Sequence, residues 1–201
     1  MTSFRRFIAK DIKLKKRNVE IKDFIWVDID TLNLGWWPIC EMSNEKTDDR
    51  TLCPAVGALM KDENGKFNTS IKYSMHIEVL DLYEKYKEEL FTSERWKDTR
   101  YYALHKAYRD MGLDSDVRTD QWILYKIKRL TALFDSIKKD GYRYLVENKV
   151  SILDKPMASY YGYKREMSGY EIWNGAHRAA CVYKLDYKKI KVLLLELKRT
   201  K

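Results

Sequence analysis

The sequence is short of the residues that build cross-linked or metal-clustered domains. Its three cysteines, Cys40, Cys53 and Cys181, stand far apart in 201 residues and form no CxxC pair. That spacing argues against a disulfide framework and a zinc ribbon, and makes a reducing, cytoplasmic compartment the expectation. The three histidines, His76, His105 and His177, are equally dispersed. A multi-histidine metal centre would need distant parts of the chain to converge on all three. With 8 glycines and 3 prolines, collagen-like and low-complexity chains are excluded. No run approaches the roughly 18 apolar residues of a membrane span. The N-terminus carries charge without an apolar core, so no secretory signal is expected.

What is present suits a globular fold. Hydrophobic residues make up 45% of the chain and aromatics 13%, with 15 tyrosines, so large rings must fill much of the core. The length fits one domain with a substantial insertion. The net charge is +9, and residues 1–22 alone carry +6 of it, from eight bases against Asp11 and Glu20. The basicity is therefore chiefly that of an N-terminal arm, residues 1–22, ahead of a domain over residues 23–201. Phe4, Ile8 and Ile12 recur every four residues, so the arm reads either as a solvated leader or as a basic amphipathic helix for an anionic surface or a partner.

Along the domain, Phe24–Ile29 is apolar and β-branched enough for a strand. Residues 31–75 are irregular, with Trp36–Pro38, an acidic pair at Asp48–Asp49 and a turn signal at Asp62–Gly65. Helices follow from about 76 to 140. The first, near 76–91, puts Val79, Tyr83, Tyr86 and Leu90 on one face. Ser93 is placed to cap a second carrying Trp96, Leu104, Ala107, Tyr108 and Met111, stopped by Gly112. In the third, Ile123, Ile127, Leu130, Phe134 and Ile137 form one stripe, with Thr119 as N-cap and Gly141 as the stop. The last third changes period: a strand at Lys149–Leu153, a Tyr-rich loop at Tyr160–Gly169 and a short strand at Tyr170–Trp173. Asn174–Gly175 then turns sharply into a helix from Ala176 to about Leu185, and Ile190–Leu195 is a buried strand.

The chemistry concentrates in Gly169–Leu195, which reads strand, glycine turn, His-Arg, helix, strand. Gly175 permits an abrupt turn and a close backbone approach to a ligand. The helix that starts there presents unpaired N–H groups and its positive dipole end, a geometry suited to anions. Arg178 adds a planar fork for phosphate or carboxylate, and His177 a donor that titrates. Together Asn174, Gly175, Ala176, His177 and Arg178 form a phosphate cradle. An isolated Asn-Gly turn before a helix is also a common structural feature, and a lone histidine is more often a satisfied hydrogen-bond partner than a catalyst.

At these residues the sequence resembles the ParB/sulfiredoxin superfamily. Asn174-Gly175-Ala176-His177-Arg178, followed by Ile190-Lys191-Val192, is similar to its strand, D-G-x-H-R turn, helix and closing strand. Trp26–Leu32 resembles the family's opening strand, and Leu130–Gly141 its L..SI...G helix. The resemblance covers about residues 24–34 and 120–196, and implies an α/β fold: a small mixed sheet with flanking helices and a helical insertion at about 76–118. Sulfiredoxins hold a catalytic cysteine just before the His-Arg pair. Ala176 stands there, so that chemistry is not expected, and Cys181, one helical turn beyond His177, reads as packing. Partition ParB proteins continue into a helix-turn-helix domain, and none is expected here. The family's usual aspartate before the glycine is Asn174.

Stand-alone members of this superfamily include nucleotide-dependent kinases of small molecules, in which the His-Arg turn holds phosphates and an N-terminal carboxylate is the base. The resemblance thus implies phosphoryl transfer from ATP or another nucleotide to a small hydroxylated acceptor, with His177, Asp28 and Asp30 as catalytic residues. Mg2+ would bridge the phosphates to Asp28 and Asp30. Asp28 and Asp30 share strand parity and are expected on one face; Glu41 and Glu171 are weaker candidates. Arg118 and Lys138 are further candidates for phosphate contacts, although a solvated surface position is the plainer expectation for Lys138. Three other readings are weighed: a nucleotide-gated binding module that switches a dimer, a nucleic-acid-binding protein or nuclease using the arm, and a purely structural interaction protein.

Overall fold

The computed structural model describes residues 19–34, 64, 68–110, 118–143, 150–153 and 169–197. Among them are five strands in one mixed sheet and five α-helices: β1 (Val19–Asp28), β2 (Leu32–Leu34), α1 (Met75–Tyr86), α2 (Glu89–Thr92), α3 (Arg100–Asp110), α4 (Asp120–Asp140), β3 (Val150–Leu153), β4 (Tyr170–Asn174), α5 (Ala176–Lys184) and β5 (Lys189–Leu197). The expected α/β class is the one found. The strand order is β1-β5-β3-β4-β2. β5 pairs antiparallel with β1 and parallel with β3, and β4 pairs antiparallel with β3 and parallel with β2.

A short link sets the shape of the sheet. Only a 3-10 turn, Ile29–Thr31, joins the outer strands β1 and β2. Four residue steps span at most about 14 Å, whereas the edges of a flat five-stranded sheet stand about 19 Å apart. The sheet must therefore coil until its edges approach. The link is held from both sides. Ile29 N–H donates to the Lys188 carbonyl, and the Thr31 carbonyl lies so close to Gly169 that a Cβ there would sit 2.1 Å from its oxygen. Gly169, at φ 93°, is the residue that admits this approach.

The largest core cluster lies between the sheet and the helices. The stripe of α4 contributes Ile123, Ile127, Leu130, Phe134 and Ile137, all buried against Val79 and Leu80 of α1, Ala179, Ala180 and Val182 of α5, and Val150, Ile152, Ile190 and Val192 of the sheet. As expected, the Thr119 hydroxyl accepts from Trp122 N–H to start α4, and Gly141 ends it at φ 78°. A second, smaller cluster joins Leu153, Leu193 and Leu195 to Ile21, Phe24 and Trp173. It holds the neighbours in sequence of residues in the first cluster, as a strand period of two requires.

Several boundaries differ from expectation. β1 starts at Val19, so the last four residues of the expected arm belong to the sheet, with Lys22 bridging Glu20 and Glu196. Ser93 does not cap a long helix. Its hydroxyl donates back to the Glu89 carbonyl and closes α2, Glu94 turns left-handed, and the hydroxyl of Thr99 instead accepts from Tyr102 N–H at the start of α3. β2 was not expected. Trp36–Pro38, Glu41, Asp48–Asp49, Cys40, Cys53, Gly112 and the arm before Val19 lie outside the described residues.

Candidate anion-binding site

β4 runs into α5 through Gly175, which adopts φ 96°, ψ 21° without a side-chain cap. The first helical bond is Ala179 N–H to the Gly175 carbonyl. The amides of Ala176, His177 and Arg178 therefore precede the hydrogen-bonded ladder and face the turn. Asn174 is exposed, and the next four residues are partly so. The five residues expected to cradle an anion thus form one accessible loop–helix junction.

The helices around it run in the same direction. Near the end of α5, Lys184 pairs with Asp81 at 2.5 Å and Glu84 at 3.1 Å in the second half of α1, and Lys138 of α4 pairs with Glu84. At the start of α5, His177 lies against His76 at the start of α1, their ring centroids 5.0 Å apart. Two helix N-termini, each with its positive dipole end, therefore meet at one pole. Ser74 caps α1 there, accepting from His76 N–H and lying 2.6 Å from its Nδ1.

Tyr101 of α3 joins the group. Its hydroxyl is 3.3 Å from His177 Nε2, and its ring meets His76 edge-on at 5.3 Å and His105 at 4.6 Å. His105 in turn packs on Trp122 of α4, and its Nδ1 bonds Arg118 Nη1. All three histidines of the chain therefore converge, from α1, α3 and α5, through one tyrosine. The helical stretch expected as an insertion, about 76–118, delivers two of them, so it is part of the site's wall.

The cluster is neutral near pH 7. Burial, then the charges of Lys126 and Arg129, lower His177 to about 4. Burial, with Arg118 next, takes His105 to about 3, and burial and the neighbouring His177 hold His76 well below the usual imidazole range. Burial raises the Tyr101 phenol, which stays protonated. Burial also lowers Lys126 and Arg178 from their ordinary values. Among the described residues, no carboxylate pairs with Lys126, Arg129 or Arg178. Lys126 instead lies over the Trp122 ring at 5.3 Å, and Arg129 over Tyr125 at 5.7 Å.

The other expected site residues lie elsewhere or are engaged. Asp28 ends β1 opposite Lys189, and Asp30 sits in the 3-10 turn, where it adds to the larger effect of Asp186 in raising the pKa of Lys188. Their shared strand parity fails because the strand stops at Asp28. Both belong with the chain that leaves α5, a helix length of about 13 Å from the turn that enters it. Arg118 is buried beside His105, over the Tyr108 ring at 4.8 Å and the Trp122 ring at 5.8 Å, so it braces the cluster. Lys138 is held by Glu84, and Glu171 is buried in β4. Cys181 is buried with its thiol pushed up to about 12 and Sγ 3.7 Å from the Leu130 carbonyl, a packing role. Among the described residues, no group of three or more His, Cys, Asp or Glu side chains is placed to hold a metal ion. Asp28 and Asp30, the expected Mg2+ ligands, are not brought beside the cradle.

Sequence reasoning missed Tyr101, His76, His105, Lys126 and Arg129 as companions of the cradle. A signal existed for the lysine and arginine: Trp122, Lys126 and Arg129 fall at i, i+4 and i+7, one position before Ile123, Ile127 and Leu130 of the core stripe, and so flank it on the helix. Nothing local announced the histidines. Comparisons with protein-family models, curated proteins and solved structures found no match to this chain.

Proposed function

We propose that this chain binds a nucleotide, or another ligand bearing a phosphate chain, at the junction Asn174–Arg178. The observation that carries this reading is the pole where α1 and α5 begin. It gathers backbone N–H donors, the positive ends of two helices and three cationic side chains that no described carboxylate pairs; Glu78, in the first turn of α1, pairs instead with Arg100. Arg129 is exposed, but Lys126 and Arg178 are half-buried, and cations so placed are ordinarily paired. An anion supplied from outside satisfies all of these groups together. Arg178 holds phosphate oxygens bidentately, the amides of Ala176 and His177 donate to them, and Lys126 and Arg129 supply the surrounding field.

Phosphoryl transfer to a small hydroxylated acceptor is the activity that the ParB/sulfiredoxin resemblance implies for such a site. It needs, besides anchored phosphates, an oriented hydroxyl and a carboxylate near it. Asp28 and Asp30 stand apart from the turn, so phosphate binding is the part of that reading best supported by geometry. A nucleotide-gated binding module needs the cradle alone, and the distance of the two aspartates favours it as the second reading. Calorimetric titration with ATP and pyrophosphate tests the site: binding to the wild type, lost in Arg178→Ala, supports it, and no binding by the wild type overturns it. Turnover of ATP that depends on an added hydroxylated acceptor separates the kinase from the module, which predicts nucleotide-dependent dimerisation instead.

A further inference from the structure

We infer that Tyr101 is a positioning residue that fixes the tautomer of His177, leaving Nδ1–H as an open donor at the first turn of α5. The inference deepens the phosphate-binding reading and rests on it for its consequence, although the tautomer itself does not. A neutral imidazole carries one proton, and its two nitrogens then play opposite roles. Tyr101 is 3% exposed, and among the described residues its hydroxyl has one polar neighbour, His177 Nε2 at 3.3 Å. Were Nε2 the donor, the phenol proton would be left buried without an acceptor, at the desolvation cost of an unmade hydrogen bond. With the phenol donating, Nε2 accepts and the proton of His177 sits on Nδ1.

Nδ1 has no hydrogen-bond partner among the described residues, and His177 is partly exposed. It therefore joins the amides of Ala176, His177 and Arg178 as a side-chain donor for an anion. His105 provides the opposite case in the same cluster. Arginine can only donate, so Arg118 Nη1 makes His105 Nδ1 an acceptor and places that ring's proton on Nε2. Two histidines joined through one tyrosine ring are thus held in opposite tautomers. The ligand class follows: a neutral N–H donor beside cations that no described carboxylate pairs selects an anion that is only an acceptor, such as an ionised phosphate.

The test is a long-range nitrogen–proton correlation spectrum of the full-length, 15N-labelled protein near pH 7, with His177 assigned by its loss in His177→Gln. Protonated Nδ1 on His177 and protonated Nε2 on His105 is the expected pair. Protonated Nε2 on His177 in the wild type overturns the inference, and this readout needs no variant. Tyr101→Phe keeps the ring contacts to His76 and His105. It should move the His177 proton toward Nε2 and weaken pyrophosphate binding about 2- to 10-fold, the worth of one neutral hydrogen bond. An unchanged His177 signal in a folded Tyr101→Phe also overturns the positioning role. If the tautomers are as expected but pyrophosphate leaves the Nδ1–H signal in place, Tyr101 keeps its role and the phosphate-binding reading fails.

Discussion

The two ends of α5 are chemically opposite. Toward its C-terminal end three cations have carboxylates: Lys184 has Asp81 and Glu84, Lys138 shares Glu84, and Lys188 has Asp186. At its N-terminal end Arg178, Lys126 and Arg129 have no described carboxylate, and three neutral histidines and Tyr101 stand beside them. Ion pairs at the first end neutralise charge within the fold. Charge at the second end is not neutralised by any described carboxylate. This contrast is the ground on which we propose one end of the helix for binding and read the other as structural.

The contrast is broken most forcefully from the structural end. Gly169→Ala places a Cβ against the Thr31 carbonyl at a positive φ. We expect a loss of about 2 to 5 kcal/mol in chemical denaturation, with pyrophosphate affinity retained by the molecules that remain folded. Arg178→Ala should do the reverse. Losing a charge-assisted contact of about 1.5 to 3 kcal/mol weakens pyrophosphate roughly 10- to 100-fold in calorimetry, while the melting temperature of the free protein stays near wild type.

The histidine cluster sharpens the comparison through pH. Folding lowers these groups below their unfolded value of 6.5, to about 4 for His177 and about 3 for His105. The unfolded chain therefore binds protons that the folded chain does not. Their stabilising share is fully present above pH 6.5 and is lost as pH falls from there toward 4 and 3, by up to about 1.4 kcal/mol per pH unit for each histidine. Denaturation series between pH 7 and 4 should show this slope and its reduction in His105→Gln. The smallest effect belongs to Lys184→Ala. Partly exposed ion pairs contribute about 0 to 1 kcal/mol, so this variant should melt within a few degrees of wild type and bind pyrophosphate unchanged.

How much of this was legible in the sequence depended on whether the signal was local. The α4 stripe, its Thr119 cap and the Asn174–Gly175 turn are each written within a few residues, and each is found. β2 is three residues long, too short for a period to show, and it pairs with β4 far along the chain. Ser93 and Thr99 are both sound caps by type, and only the closing of α2 onto Glu89 decides between them. Asp28 and Asp30 looked paired because a strand was extended two residues too far. The meeting of His76, His105 and His177 is set by three helices packing on one core, and no spacing within the chain encodes it.

The central claim is that the N-terminal pole of α5 binds a phosphate chain and its C-terminal end does not. It is tested most directly by the melting temperatures of wild type, Arg178→Ala and Lys184→Ala with ATP, ADP, CTP, GTP and pyrophosphate, each with and without magnesium. A ligand that binds only the folded state must raise the melting temperature. A rise in wild type and Lys184→Ala that vanishes in Arg178→Ala is the predicted result. No rise with any of these ligands, or an equal rise in all three proteins, would contradict the claim.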